Sequence, residues 1–281
     1  MELAEGRAKG SVGSSRIRGT WIANNWPGAE IMKIGKKYDA IIFQKVYPLD
    51  YLKVFEGVKI IDICDPDWLE GKPVKESIEL ADAVTCSTQS IVDFVKQITD
   101  KPVHLVADRM DIALHPEKKD HKGKAESAVW FGYNSNTKVL DQCLLALKRL
   151  NLKLTVISDA PYYPSGNAEG IDSEWIKRNL TNIKHDNGTL NREIIDGGDI
   201  LLNPRIETGR FRFKSNNKTL TGWALGMPVA ETSDQLDTFM DPEARRSEAE
   251  KRYKEVVADW SIEKSVAEYR DIIMSIAAQK Q

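Results

Sequence analysis

Short apolar runs alternate with segments of helical spacing along most of the chain, the signature of parallel strands joined by crossover helices. In the first half, strands are predicted at Asp39–Phe43, Val58–Cys64, Ala83–Cys86 and Val103–Val106, and helices over Ser15–Asn25, Pro48–Phe55, Val74–Leu80 and Thr88–Gln97. The last of these has Ser87 or Thr88 as a capping hydroxyl, and Ile91, Val92, Phe94, Val95 and Ile98 give it one apolar face. After Asp111 the periodicity stops in the polar stretch HPEKKDHKGKAES, read as an interdomain linker over 116–126. The pattern restarts with a strand at Ala128–Phe131 and a helix over Thr137–Leu150, where Val139, Leu140, Leu144, Leu145 and Leu147 recur at 3.6-residue spacing. Strand Lys153–Ile157, helix Ser173–Leu180, a short strand around Ile183, helix Leu190–Ile195 and strands Ile200–Leu202 and Val229–Glu231 follow. Two charged helices, Pro242–Val257 and Ser261–Ala277, close the chain. The pattern predicts two α/β domains, 1–115 and 127–258, with a final helical segment over 259–281.

Composition narrows this picture. At 281 residues the chain is long for one domain and comfortable for two, and 41% hydrophobic with 29% charged residues is ordinary globular usage. A formal net charge of −2 and a pI near 6.2 exclude a global electrostatic pull on nucleic acid or an anionic membrane, though not a local basic patch. Cys64, Cys86 and Cys143 stand far apart, with no C-x-x-C spacing, and read as buried small hydrophobes in a reducing compartment. No run approaches 18 apolar residues and the first residues carry no signal-peptide core, so a cytoplasmic protein without a membrane anchor is expected. His104, His115, His121 and His185 show no ligand spacing, and no metal centre is expected.

The densest chemistry lies in DILLNPRIETGRFRFKSNNKTLTGWALGMPVAE, from Asp199 to Glu231. It reads as a strand, a loop carrying Arg205, Arg210, Arg212, Lys214 and Lys218, a helix from about Ser215 to Leu225, and a Gly-Met-Pro stop before a new strand. Backbone N–H groups at a helix start and lysines beside them both favour phosphate, and Lys218 falls in the first turn. In open α/β sheets ligands bind beyond the carboxyl ends of strands. Asp65 and Asp67, which follow Val58–Cys64, are the carboxylates placed to orient or deprotonate a hydroxyl; a D-P-D turn capping the next helix is the alternative. Near the start, Ser14 and Ser15 open a helix with Arg16 and Arg18 beside them, a second loop able to hold phosphate or an acceptor.

Lys214-Ser215-Asn216-Asn217-Lys218-Thr219-Leu220 followed by Ala224-Leu225-Gly226-Met227-Pro228-Val229 resembles the donor segment of group-1 (family 4) nucleotide-sugar glycosyltransferases, where K-x-x-x-K opens a helix that ends in A-x-G-x-P-V. The resemblance implies a GT-B fold of the α/β class: two Rossmann-like domains facing a central cleft, with the C-terminal helix crossing back onto the first. It implies transfer of a sugar from a nucleoside diphosphate donor to an acceptor hydroxyl without metal and with no cofactor beyond the donor. Gly132, Tyr133, Lys138, Arg210, Lys214, Ser215, Asn217, Lys218 and Thr221 would line the donor site, with Lys218 also stabilising the leaving phosphate and Asp65 and Asp67 on the acceptor side. Tyr133 stands where the family carries Arg, and Thr221 where it carries a Glu that bonds the donor ribose. Trp26 and Trp68 are candidates to stack on a sugar or base. The acceptor is left open among a glycan, a small molecule and, as in phage-type enzymes of this fold, a hydroxylated base in DNA, for which Arg7, Lys9, Arg16, Arg18 and Lys45 would supply a basic patch. A GT-B-like protein that binds nucleotide without turnover is the remaining alternative.

Overall fold

A computed structural model of the chain describes residues 13–164, 170–206 and 208–280. They form two compact units, each with its own parallel sheet. The first comprises described residues up to 110 together with 208–216 and 260–280, and the second comprises those of 111–206 and 217–259. Among the described residues no helix is long and apolar enough to cross a membrane.

The first sheet holds β1 (Ala40–Gln44), β2 (Val58–Ile63), β3 (Ala83–Cys86) and β4 (Val103–Leu105), side by side in chain order. Right-handed crossovers that all step in the same direction leave their helices on one face. These are α1 (Leu49–Val54), α2 (Val74–Leu80) and α3 (Gln89–Val95). Accordingly Ile41, Phe43, Ile61, Ile63, Val84 and Cys86 pack with Leu52, Ile78, Ile91 and Val95. Thr88 caps α3, its hydroxyl accepting from the Ile91 amide at 3.3 Å.

Side chains alternate along a strand, so Ile60, Asp62 and Thr85 point to the opposite face. No crossover helix is available there, and the chain ends cover it instead. A helical run opens over Gly13–Ser15, widens to a π turn over Arg16–Thr20 and closes over Trp21–Asn24, where one regular helix over Ser15–Asn25 was expected. The widened turn accompanies the burial of Arg18, whose side chain reaches the sheet. The C-terminal helix Ile262–Lys280 buries Ile262, Val266, Tyr269, Ile272 and Ile276, crossing back onto the first unit as the resemblance implied. Asp62 ties both segments down: it accepts from Arg18 Nε (2.8 Å) and Nη2 (2.6 Å), from the Tyr269 hydroxyl (2.8 Å) and from Thr85 (2.6 Å). Arg18 Nη1 also donates to Asp108 at 2.8 Å and to the Val106 carbonyl at 2.7 Å. Arg109 grips Glu268 with two bonds of 2.6 Å.

The second sheet runs β7-β6-β5-β8-β9, with β5 at Ser127–Phe131, β6 at Lys153–Ser158, β7 at Leu180–Lys184, β8 at Ile200–Leu202 and β9 at Val229–Ala230. The chain steps outward from β5 through β6 to β7, then returns to the other side of β5 for β8, so strand order reverses between β5 and β8. Its helices include α4 (Leu144–Leu150), α5 (Ser173–Asn179), α6 (Leu190–Gly197), α7 (Asn217–Ala224), α8 (Ser233–Thr238) and α9 (Pro242–Asp259). The helix expected over Thr137–Leu150 is a 3-10 segment, Asn134–Gln142, followed by α4; Leu145, counted with the apolar face, is 57% exposed. Helix α7 presses so closely on the sheet that a Cβ at Gly222 would stand 2.5 Å from Leu201 and 2.8 Å from Val229. Glycine at that position lets the helix sit down.

The polar stretch 116–126 loses periodicity but not partners. Its Lys119 amide donates to the Leu225 carbonyl (2.9 Å), its His121 Nε2 lies 2.7 Å from the Gly226 carbonyl oxygen, and its Gly123 carbonyl accepts from Arg245 (2.7 Å). This segment belongs to the body of the second unit.

Candidate functional site

The order reversal between β5 and β8 marks the place where an open α/β sheet offers a crevice to a ligand. Just past β5, Gly132 adopts φ +147°, and a Cβ there would stand 2.8 Å from the Lys218 ammonium and 3.0 Å from the Trp130 ring. Lys218, in the first turn of α7, holds its ammonium 3.8 Å from the Trp130 ring centre and 5.9 Å from that of Phe131. The buried indole face fixes the charge by cation–π attraction. A lysine, a helix start and a side-chain-free backbone thus meet at the carboxyl end of the central strand, an arrangement suited to a phosphate. Tyr133 follows, 44% exposed, and Lys138 stands exposed on the 3-10 segment.

Beyond β8 and β9 lies a polar group that sequence reasoning missed. Asn203 donates to Thr219 at 2.8 Å, and Thr219 donates to Glu231 Oε1 at 3.3 Å. Arg205 Nε lies 3.6 Å from the same oxygen. The available signal was positional, since Asn203 and Glu231 directly follow β8 and β9.

At the carboxyl end of the first sheet the charges pair with one another. Lys45, with the left-handed φ of +55°, donates to Asp65 at 2.6 Å, and Lys214 donates to the other Asp65 oxygen at 2.6 Å. Burial pushes the Asp65 carboxyl up, but the charges of Lys214 and Lys45 and their hydrogen bonds outweigh it and hold Asp65 below the usual carboxylate range. A carboxylate so held accepts hydrogen bonds well and takes protons poorly. Asp67 is fully buried and accepts from Tyr47 (2.8 Å) and Lys72 (3.0 Å). This burial corrects the reading of Asp67 as a carboxylate open to a hydroxyl; it starts the 3-10 turn Asp67–Glu70, the D-P-D alternative.

Four further expectations need correction. Arg18 is 4% exposed, its guanidinium spent on Asp62, Asp108 and Val106, so it presents no charge to a phosphate. Thr221 is 9% exposed and donates back to the Asn217 carbonyl at 2.8 Å, the local bond open to a mid-helix threonine, so it does not offer its hydroxyl to a ribose. Helix α7 begins at Asn217, two residues later than expected, because Phe213 is 4% exposed in the aromatic core of the first unit, 5.1 Å edge-on from Trp68. Arg210 and Lys214 accordingly pair with Glu70 and Asp65 of the first unit. Trp68 stacks on Phe94 at 4.0 Å and is core, not a platform for a sugar. Of the N-terminal loop, Ser15 donates weakly to Gln44 (3.5 Å), Arg16 lies 5.8 Å from the Trp21 ring centre, and the buried Ser14 hydroxyl has no hydrogen-bond partner. Arg7 and Lys9 lie outside the described residues.

All three cysteines are free and buried, and among the described residues no group of three His, Cys, Asp or Glu side chains is disposed to hold a metal ion.

Neither a protein-family model nor a curated protein sequence matches the chain. Solved structures do. AviGT4, a glycosyltransferase involved in avilamycin A biosynthesis, superposes with a TM-score of 0.53 at 12% identity, over 87% of this chain and 76% of its own. The apo form of WaaB, a lipopolysaccharide outer core galactosyltransferase, gives 0.51 at 12% identity over 96% and 80%. A chain of the Glycosylation Associate Protein (Gap123) complex from Streptococcus agalactiae gives 0.45 at 13% identity, and this chain spans only 55% of its length. With the two parallel sheets, the first two likenesses establish the fold as GT-B, with two Rossmann-like domains.

Proposed function

We propose that this protein is a glycosyltransferase that moves a sugar from a nucleoside diphosphate donor to an acceptor hydroxyl. The observation that carries the reading is the Lys218 ammonium held beside Gly132 past the central strand of the second unit, where the sheet order reverses. Charge accumulates on the departing diphosphate during transfer, and a fixed ammonium there stabilises it by roughly 3 to 4 kcal/mol. The same lysine is the second of the K-x-x-x-K pair on which the family resemblance rests. The charge is assigned to protein groups, so the reaction needs no divalent metal and no cofactor besides the donor. Tyr133 and Lys138 complete the donor side, and Asp65 orients the acceptor hydroxyl as a hydrogen-bond acceptor. The acceptor is a glycan or small molecule, because Arg18 and Lys45, two of the cations a DNA-modifying enzyme would use, are engaged within the first unit. Free buried cysteines accord with a reducing, cytoplasmic setting.

A second reading, nucleotide binding without turnover, is favoured by the double ion pair on Asp65 and the inward Thr221. One experiment separates them: a thermal-shift panel of nucleoside diphosphates, followed by product analysis with the matching nucleotide sugars and an acceptor panel, with and without chelator. A ligand at a hundred times its dissociation constant adds about 2.7 kcal/mol of stability. Binding with chelator-resistant transfer supports the enzyme, binding with neither transfer nor hydrolysis supports the second reading, and no binding of any diphosphate sinks both.

A further inference from the structure

We propose that Glu231 is the carboxylate that grips a vicinal diol of the bound donor, a proposal that rests on the glycosyl-transfer reading above. A nucleotide sugar carries vicinal hydroxyls on its ribose and, in most cases, on the sugar, and one carboxylate receives two such hydroxyls through its two oxygens. The residue at the position of the family's ribose-binding Glu cannot do this, because Thr221 is turned into the protein and bonded to Asn217. The acid must come from another element of the second unit. Glu231 directly follows β9, two strands from β5 on the side where the sheet order reverses, and its side chain is 38% exposed.

Its surroundings hold it ready without using it up. The Glu231 amide donates to Gln235 Oε1 at 2.6 Å, and the same oxygen accepts from the Thr232 amide at 3.1 Å. Thr232 returns the bond to the Gln235 amide at 3.3 Å, completing a capping box at the start of α8 that locks the backbone of residue 231. On the other side, Asn203 orients Thr219 and Thr219 donates to Glu231 Oε1, with Arg205 alongside. Every one of these side-chain contacts falls on Oε1, and Oε2 makes no hydrogen bond among the described residues. The arrangement is that of a carboxylate with one oxygen anchored and the other open to solvent. Thr219 sits beside Lys218 on the first turn of α7, so one turn of helix would carry both the phosphate-facing lysine and the residue that aims the acid. The specificity that follows is for a ribonucleoside diphosphate sugar over its deoxy counterpart, or for a sugar with an unblocked diol.

The test is Glu231→Gln, which keeps an oxygen for Thr219 and the capping-box backbone but loses the second anionic acceptor. Calorimetry would compare the nucleoside diphosphate selected by the thermal-shift panel, its 2′-deoxy form, its intact nucleotide sugar and inorganic pyrophosphate, on wild type and variant. The expected result is about a tenfold loss of affinity for the diol-bearing ligand, the worth of a charge-assisted hydrogen bond, with pyrophosphate unchanged. If the wild-type preference for the ribose over the deoxyribose form disappears in the variant, the ribose is the source of the diol. If only the intact nucleotide sugar weakens, the sugar is. Unchanged affinity for all four ligands, or equal losses that include pyrophosphate, overturns the assignment while leaving the phosphate role of Lys218 standing. Absence of any nucleotide binding to wild type overturns the reading beneath it and the assignment with it.

Discussion

The carboxyl ends of the two sheets are built from the same strand-and-helix grammar, yet they use charge in opposite ways. In the first unit Lys45, Lys214 and Lys72 close on Asp65 and Asp67, and Arg18 closes on Asp62 and Asp108. In the second unit Lys218 rests on an indole face and Glu231 keeps an oxygen open. The difference follows from topology. Strands laid in chain order, as β1 to β4 are, put every crossover helix on one face, and the uncovered face must be closed by the chain ends, which need buried ion pairs to hold them. A sheet whose order reverses is covered on both faces by its own crossovers and leaves a crevice at the reversal. One unit's charges fasten the fold, and the other's are free for a ligand.

The largest expected effect tests the fastening. Asp62→Ala leaves the buried Arg18 with Asp108 alone and removes the acceptor of Tyr269 and Thr85, and breaking a buried pair costs about 3 to 5 kcal/mol. Denaturant unfolding should show that loss while calorimetry on the remaining folded protein shows unchanged nucleotide affinity. A variant of full stability would mean that the ends are not held by this pair.

Next comes Lys218→Ala, expected to lower turnover about a hundredfold or more with only a small change in melting temperature, since the lost cation–π contact is worth about 0.5–1 kcal/mol. Unchanged kinetics with a large fall in melting temperature would reverse the contrast and make Lys218 a fastening charge too. Gly132→Ala probes the same crevice. At φ +147° with a Cβ 2.8 Å from the Lys218 ammonium, it should cost about 1–3 kcal/mol of strain and displace the lysine, so affinity for nucleoside diphosphate and stability should fall together.

Acid should separate the units, as hydrogen exchange against pH would show. Burial holds His121 below its usual 6.5, with the Gly226 carbonyl opposing the shift. Its neutral form belongs to the fold, so stability of the second unit is unaffected above pH 6.5. Below it the unfolded chain takes a proton first, and stability declines toward the depressed folded value. Asp65 is held below its usual 3.8, so its contribution persists above that value and is lost only as pH falls further, through the folded value. Equal acid sensitivity of the two units would contradict this order. The smallest effect is expected at Thr221→Val, which removes one back-bond worth about 1 kcal/mol and should leave nucleotide affinity as it was. A clear loss of affinity there would return the ribose to α7.

The sequence by itself determined the alternating pattern of elements, and the reason is physical: period-2 and period-3.6 burial are local properties of strands and helices. It also located Gly132 and Lys218, because a glycine just after a strand and a lysine in a helix's first turn are local signs of a phosphate site. Only the tertiary structure decided what each charge faces. Arg18 in GSSRIRG reads as a phosphate-loop arginine until Asp62, 44 residues on, and Tyr269, 251 residues on, are brought beside it. Lys214 and Lys218 read as one pair until Phe213 joins the first unit's core and Lys214 meets Asp65. Thr221 and Glu231 differ in the same way: neither spacing nor composition says which one a helix turns inward and which one a strand end leaves open. Ion pairing and burial are set by contacts distant in the chain, and these the order of residues specifies only through the fold.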